Sequence, residues 1–175
     1  MNGAVTVEGL MKSYGTHRVL KGLTFRVEKG EIFALLGVNG AGKTTALSCM
    51  EKLLPYDGGT VTVNGRMGIQ LQSASLPAHI KAMDAIRLFA GWNRTQPDKA
   101  MLDALGMGEL AKKQYRQLST GQKRRLHLAL ALTGDPDILF LDEPTAGLDP
   151  KAHQDVLHMI EEVHSKTGNI IILVS

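Results

Sequence analysis

Residues Gly37–Thr45 read GVNGAGKTT, and Gly37 to Thr44 fit the spacing G-x-x-x-x-G-K-T. That pattern holds phosphate when it lies between a strand and a helix. Gly37, Gly40 and Gly42 let successive backbone N–H groups, with those of Asn39, Ala41 and Thr45, converge on phosphate oxygens without side-chain collisions. A following helix adds the partial positive charge of its N-terminus. Lys43 would reach the β- and γ-phosphates, and the Thr44 hydroxyl would ligate Mg²⁺. An accidental glycine turn would lack the apolar strand pattern before it and the helical pattern after it, and both are present. The glycine order is G-x-x-G-x-G, which excludes a dinucleotide fingerprint.

A second stretch, ILFLDEP at 138–144, has four apolar residues and then two carboxylates. In an open α/β sheet, ligands sit beyond the carboxyl ends of the strands. Asp142 can there hold Mg²⁺ through water, and Glu143 can accept a proton from a water attacking a γ-phosphate. Together the two stretches predict a Mg²⁺-nucleotide site. The guanine-reading pattern Asn-Lys-x-Asp is absent, so the expected base is adenine. Tyr14 falls in a loop between the first strands, where it is either a stacking partner for the base or a structural residue.

The elements that must position these groups follow from periodicity. Alternation in AVTVEGLMKSY and LTFRVEKG predicts an antiparallel pair feeding a more buried strand over 32–36. YDGGTVTVNG predicts turn, short strand and turn. From about 73 to 117 the pattern changes to short helices broken by prolines and glycines, a small helical insertion. ILFLD and NIIILV read as unalternating buried strands, with an amphipathic helix between them and Gly168 as its cap. Strand–helix–strand order of this kind predicts a parallel sheet covered on both faces.

An apolar fraction of 43% with 21% charged residues suits a single globular domain able to bury a core. A net charge of +3 is too small to demand a polyanionic partner, and the few aromatics do not alternate with basic residues, so nucleic acid is not an expected partner. One cysteine, Cys49, excludes internal disulfides and fits a small buried helix position. No signal peptide and no run long enough to span a bilayer is read, which points to a cytoplasmic protein.

LSTGQKRRL at 118–126 combines cap chemistry with a basic first turn suited to an anion. Followed by ILFLDEPTAGLD, it resembles the ATP-binding cassette (ABC) family, whose signature is close to LSGGQ. The resemblance covers essentially the whole chain, with every motif in order. It implies an α/β P-loop NTPase with a parallel core sheet, an N-terminal antiparallel β subdomain and a small helical insertion, all one domain over 1–175. It implies ATP and Mg²⁺ as cofactors, with Tyr14 as the adenine-stacking aromatic and Asp149 as the D-loop residue. Gln72 in MGIQLQ matches the glutamine that touches Mg²⁺ and the attacking water; Gln70 competes for that role, but the spacing from Gly68 favours Gln72. Ser119 and Gly121, with Gln122 of the same motif, are expected to bind the γ-phosphate of ATP held by another subunit.

The implied function is the ATPase subunit of an ABC transporter, with an exporter suggested by the wording of GIQLQSASLP and LSTGQKRRL. Expected partners are a second copy or a paralogous cassette, in a head-to-tail dimer, and a separate membrane permease that places the chain on the inner face of the cell membrane. A soluble cassette acting in DNA repair, translation or cluster assembly is the competing class. No long coiled coil separates Lys43 from Ser119, and one cassette is present rather than two. Thr120 and Val38 depart from the family's commoner residues with little expected consequence. The family's switch histidine follows the strand read here as IIILVS, so the resemblance implies a C-terminally truncated cassette that binds MgATP and hydrolyses it weakly, with its last strand cut at a sheet edge. His153, His158 and His164 are expected as solvated helix positions.

Overall fold

The computed structural model describes residues 4–70 and 75–175. Strands β1 (Val5–Tyr14), β2 (His17–Val27) and β3 (Ile32–Leu35) lead to helix α1 (Lys43–Met50). Strands β4 (Gly58–Val63) and β5 (Met67–Gln70) precede helices α2 (Ala82–Trp92) and α3 (Lys99–Ala104) and short 3₁₀ turns at Met107–Glu109 and Tyr115–Gln117. Helix α4 (Thr120–Leu132), strand β6 (Ile138–Asp142), helix α5 (Pro150–Thr167) and strand β7 (Ile170–Val174) follow.

Two sheets result. β2, β1 and β4 form an antiparallel sheet in that order, and β3, β7, β6 and β5 form a parallel one. Side chains on the two faces of β6 alternate between two cores. Leu139 and Leu141 join α2, α4 and α5, while Ile138 and Phe140 join α1 and the antiparallel sheet. Covering on both faces is why ILFLD carries no alternation. The stretch expected as a helical insertion contains α2, α3 and the two 3₁₀ turns.

Three expectations are corrected. β3 is an edge strand with alternating exposure, because β7 is its one core-sheet neighbour; it is not more buried than the strands before it. β7 lies inside the sheet, between β3 and β6, and is not at an edge. His164 is half-buried and its Nδ1 lies 2.8 Å from the Asn169 carbonyl oxygen, so it fastens the end of α5; His153 and His158 are exposed. The strand β5 was not foreseen. It is four residues long and includes a glycine and a glutamine, which lower strand propensity. Gly68 is required by packing: a Cβ there would meet the Ala131 carbonyl oxygen at 2.1 Å. Among the described residues, no helix is long and apolar enough to cross a membrane.

Candidate nucleotide-binding site

The phosphate loop joins the end of β3 to the start of α1. Gly42 occupies the N-cap of α1 in a left-handed conformation (φ 89°), and no side chain caps the first turn. The first-turn N–H groups are therefore left for a ligand. A Cβ at Gly42 would meet Val19 Cγ1 at 2.8 Å, so both conformation and space demand glycine there. Lys43 Nζ donates to the carbonyl oxygens of Gly37 (2.5 Å) and Val38 (3.2 Å), bracing the loop from inside.

Asp142 ends β6, and Glu143 follows it at φ 45°. In an unbroken strand these two side chains would point to opposite faces. The left-handed turn lifts Glu143 out of that alternation. It is held there by its own N–H, which donates to Val174 O at 2.9 Å. Glu143 then lines a cavity of 490 Å³ with Val19, Asn39, Gly40, Lys43, Thr44 and Thr45. Asp142, 4% exposed, lies beside the Thr44 hydroxyl, and its Oδ1 is buried with no partner. Burial, and then the Glu143 charge, raises its pKa above the ordinary carboxylate value, against the pull of Thr44, Lys43 and Arg124. A buried carboxylate oxygen without a partner beside a threonine hydroxyl is an oxygen-donor set that fits Mg²⁺. No group of three His, Cys, Asp or Glu residues able to hold a metal occurs among the described residues.

A second buried carboxyl lies at the far end of α1 from the loop. Glu51, at the end of α1, is 4% exposed, and its Oε1 has no partner. Burial, and then the nearby Asp142 charge, pushes its pKa up to about 7. Helical periodicity gave no sign of it, because the residue lies at a helix end, where charged groups are ordinarily solvated.

The larger cavity beside the loop, 600 Å³, runs along β2 from His17 to Leu23 and on to Gly40–Lys43 and Ala46. Val19 lines both cavities, yet as one apolar residue in a strand it carried no distinguishing signal. Tyr14 is 51% exposed and flanks an adjoining groove with Thr44, Thr45, Ser48, Leu53 and Leu54. Gln72 lies outside the described residues.

The signature residues lie elsewhere. Ser119, Thr120, Gly121 and Gln122 line a separate 450 Å³ groove with Arg125, Gly147, Leu148 and Asp149. It shares no residue with either cavity beside the phosphate loop. Ser119 and Gln122 form a reciprocal cap on α4, with Ser119 Oγ accepting from Gln122 N–H at 3.2 Å and Gln122 Oε1 from Ser119 N–H at 3.1 Å. Asp149 Oδ1 accepts from Lys151 and Ala152 N–H, both at 3.1 Å, and so caps α5. The basic residues do not act as one patch. Lys123 sits over the Tyr115 ring at 4.9 Å, Arg124 donates to Ala146 O at 3.5 Å, and Arg125 pairs with Glu109 at 3.0 Å.

The profile of the family described as ABC transporter matches residues 20–146. The linearmycin resistance ATP-binding protein LnrL of Bacillus subtilis is 33% identical over 96% of this chain and 60% of its own length. The methionine import ATP-binding protein MetN of Clostridioides difficile is 32% identical, over 98% of this chain and 60% of its own. The chain thus spans about three-fifths of these relatives. Among solved structures, a putative metal-chelate type ABC transporter in an inward-facing conformation superposes with a TM-score of 0.88 at 27% identity, covering 100% of this chain and 73% of that one. With the profile spanning more than half of the chain and the motifs on the strand and helix ends described above, the chain belongs to the ABC transporter family.

Proposed function

We propose that the chain is the ATP-binding and ATP-hydrolysing subunit of an ABC exporter and that it works as a head-to-tail dimer. The observation that carries this reading is the separation of the two grooves. The phosphate-loop cavities and the signature groove share no residue, so one chain offers two half-sites that a second chain would complete. The partner would be another copy or a paralogous cassette. A separate permease would dock the assembly at the cytoplasmic face of the membrane. The stretch from about 73 to 117 is read as a helical subdomain inserted in a single cassette domain spanning 1–175.

In this mechanism Gly37, Asn39, Gly40, Ala41, Gly42 and Thr45 hold the triphosphate on backbone N–H groups, and Lys43 neutralises its β- and γ-oxygens. Thr44, Asp142 and Gln72 would hold Mg²⁺, which when bound draws charge from the phosphate oxygens. Glu143, turned out of β6 into the cavity, takes a proton from water as its oxygen bonds to the γ-phosphorus. The bond from that phosphorus to the β–γ bridging oxygen breaks, and ADP and phosphate leave. Ser119, Gly121 and Gln122 face the γ-phosphate of the partner's ATP, with Asp149 beside them. Nucleic acid has no place in this scheme.

Tyr14→Ala should weaken ATP binding by about 1–3 kcal/mol, the range of base–aromatic stacking, and leave inorganic triphosphate binding unchanged. Calorimetry with each ligand makes the comparison, and equal losses would show Tyr14 to be structural. The dimer is tested by Ser119→Arg in a Glu143→Gln background, which slows turnover. ATP binding by the single chain should persist while ATP-driven dimerisation, followed by light scattering, disappears. A variant that still dimerises would sink the in-trans assignment. Export as the direction is supported by the resistance role in LnrL's name and by the wording of the glutamine and signature stretches. MetN, an importer by name, is almost as similar. Reconstitution with the permease and accumulation of substrate inside or outside vesicles decides between them.

A further inference from the structure

Tyr14, the proposed partner of the base, ends β1, and the chain turns back through Gly15 and Thr16 so that Tyr14 pairs with His17. A half-exposed ring at the tip of a hairpin is free to lean unless something holds the strand end. Three contacts made by Asp57 hold it. Asp57 N–H donates to Met11 O at 2.8 Å, and Asp57 Oδ2 accepts from Ser13 N–H at 2.6 Å. Between those residues, Lys12 Nζ lies 3.5 Å from Asp57 Oδ1. A single residue just ahead of β4 thus grips three consecutive residues of β1, and Tyr14 is the next.

The Lys12 side chain is only 12% exposed, so its ammonium needs partners where it lies. Asp57 is one, and the Tyr14 ring is the other: Nζ sits over the ring at 5.6 Å from the centroid, within cation–π reach. The Ser13 N–H, against some desolvation and with Lys12 adding to it, holds the Asp57 carboxyl below its ordinary pKa, so the carboxylate is charged at neutral pH. An ammonium on one face of the ring leaves the other face for a base.

The anchorage leads back to the phosphate loop. Leu53 and Leu54 N–H both donate to Ser48 O, fastening the segment between α1 and β4 to the helix that Lys43 and Thr44 begin. Tyr14 in turn lines one groove with Thr44, Thr45 and Ser48. Across the hairpin, Lys12 pairs with Leu20 and Ser13 with Arg18, so β2 carries one extra residue there, Val19. A bulge of this kind bends its strand, and Val19 packs on Gly42 of the loop.

We propose that Asp57 and Lys12 are positioning residues for nucleotide recognition: together they set the Tyr14 ring, by its strand end and by one face, at a fixed distance from the phosphate loop. Neither needs to touch the nucleotide. The role rests on the reading of Tyr14 as the base-stacking residue. A ring held before binding spares the cost of ordering it, which for one side chain is worth about two- to tenfold in affinity.

The test compares calorimetric titrations with MgATP and with inorganic triphosphate. Asp57→Ala and Lys12→Met should each weaken MgATP binding about two- to tenfold and leave triphosphate binding unchanged. Asp57→Asn keeps an acceptor for the Ser13 N–H and should recover part of the loss. In a Tyr14→Ala background neither substitution should cost anything further, because the ring they place is gone. Equal losses for ATP and triphosphate, or full losses that persist without Tyr14, overturn the proposal, as does unchanged ATP affinity. A second measurement needs no nucleotide: ¹H–¹³C NMR of the Lys12 side chain, assigned by its loss in Lys12→Met. The methylene protons beside the ammonium should lie upfield through the Tyr14 ring current. They should move to the free-lysine position in Tyr14→Ala and part of the way in Asp57→Ala. A signal that ignores either variant overturns the hold. If Tyr14→Ala binds ATP like the parent, the stacking reading fails and the positioning role with it, while the lysine signal still decides whether Asp57 and Lys12 hold the ring.

Discussion

In Lys43→Ala, affinity for MgATP should fall by about a hundredfold or more. Lys43 is the side-chain cation built into the phosphate loop, and charge-assisted hydrogen bonds are worth about 1.5–3 kcal/mol each. The ammonium also has a part to play before any nucleotide arrives. It donates to the Gly37 and Val38 carbonyls from inside the loop, so alanine removes a brace as well as a ligand. Without it, the turn must order itself on binding, and that entropy is charged against affinity. Calorimetric titration measures the change. Unchanged affinity would remove the phosphate loop from the functional reading.

The second large effect is on stability. Glu51 has its pKa raised from 4.5 to about 7 by burial and by Asp142. Between those values the folded chain retains a proton that the unfolded chain has released. The folded state is therefore favoured at low pH, and stability declines as pH rises from about 4.5 through 7. The difference corresponds to on the order of 3 kcal/mol above pH 7. Glu51→Gln keeps the shape and removes the charge. It should raise the melting temperature by roughly 5–10 °C at pH 8 and by little at pH 4.5. Thermal unfolding at the two pH values provides the check; equal shifts at both would show that Glu51 is not buried as a carboxyl.

Much of this architecture was legible because it depends on local pattern. The glycine spacing before Lys43 and the apolar run before Asp142 state their conformation and their place at strand ends within a few residues. The caps of α4 and α5 are likewise short-range chemistry. What escaped depends on distant partners. β5 becomes a strand because β6 offers it a ladder and α4 passes close enough to require Gly68. The exposure of β3 follows from its place in the sheet order, which composition does not encode. Glu51 has its pKa raised by burial and then by the charge of Asp142, far along the chain. The basic run after Ser119 looked like one anion site, yet Lys123, Arg124 and Arg125 are drawn to three different partners by their angles around the helix.

The position of β7 also has a consequence for assembly. In the core sheet β3 pairs with β7 alone, joining residues 32–35 to 171–174. A ribosome releases the amino-terminal strand long before the other, and closing so long a loop is entropically slow. The antiparallel sheet of β1, β2 and β4 can form early from nearer segments, whereas the edge that carries the phosphate loop waits for β7. Until then, the apolar side chains of β3 and β6 are open to wrong partners, which is the interval in which a chaperone would act.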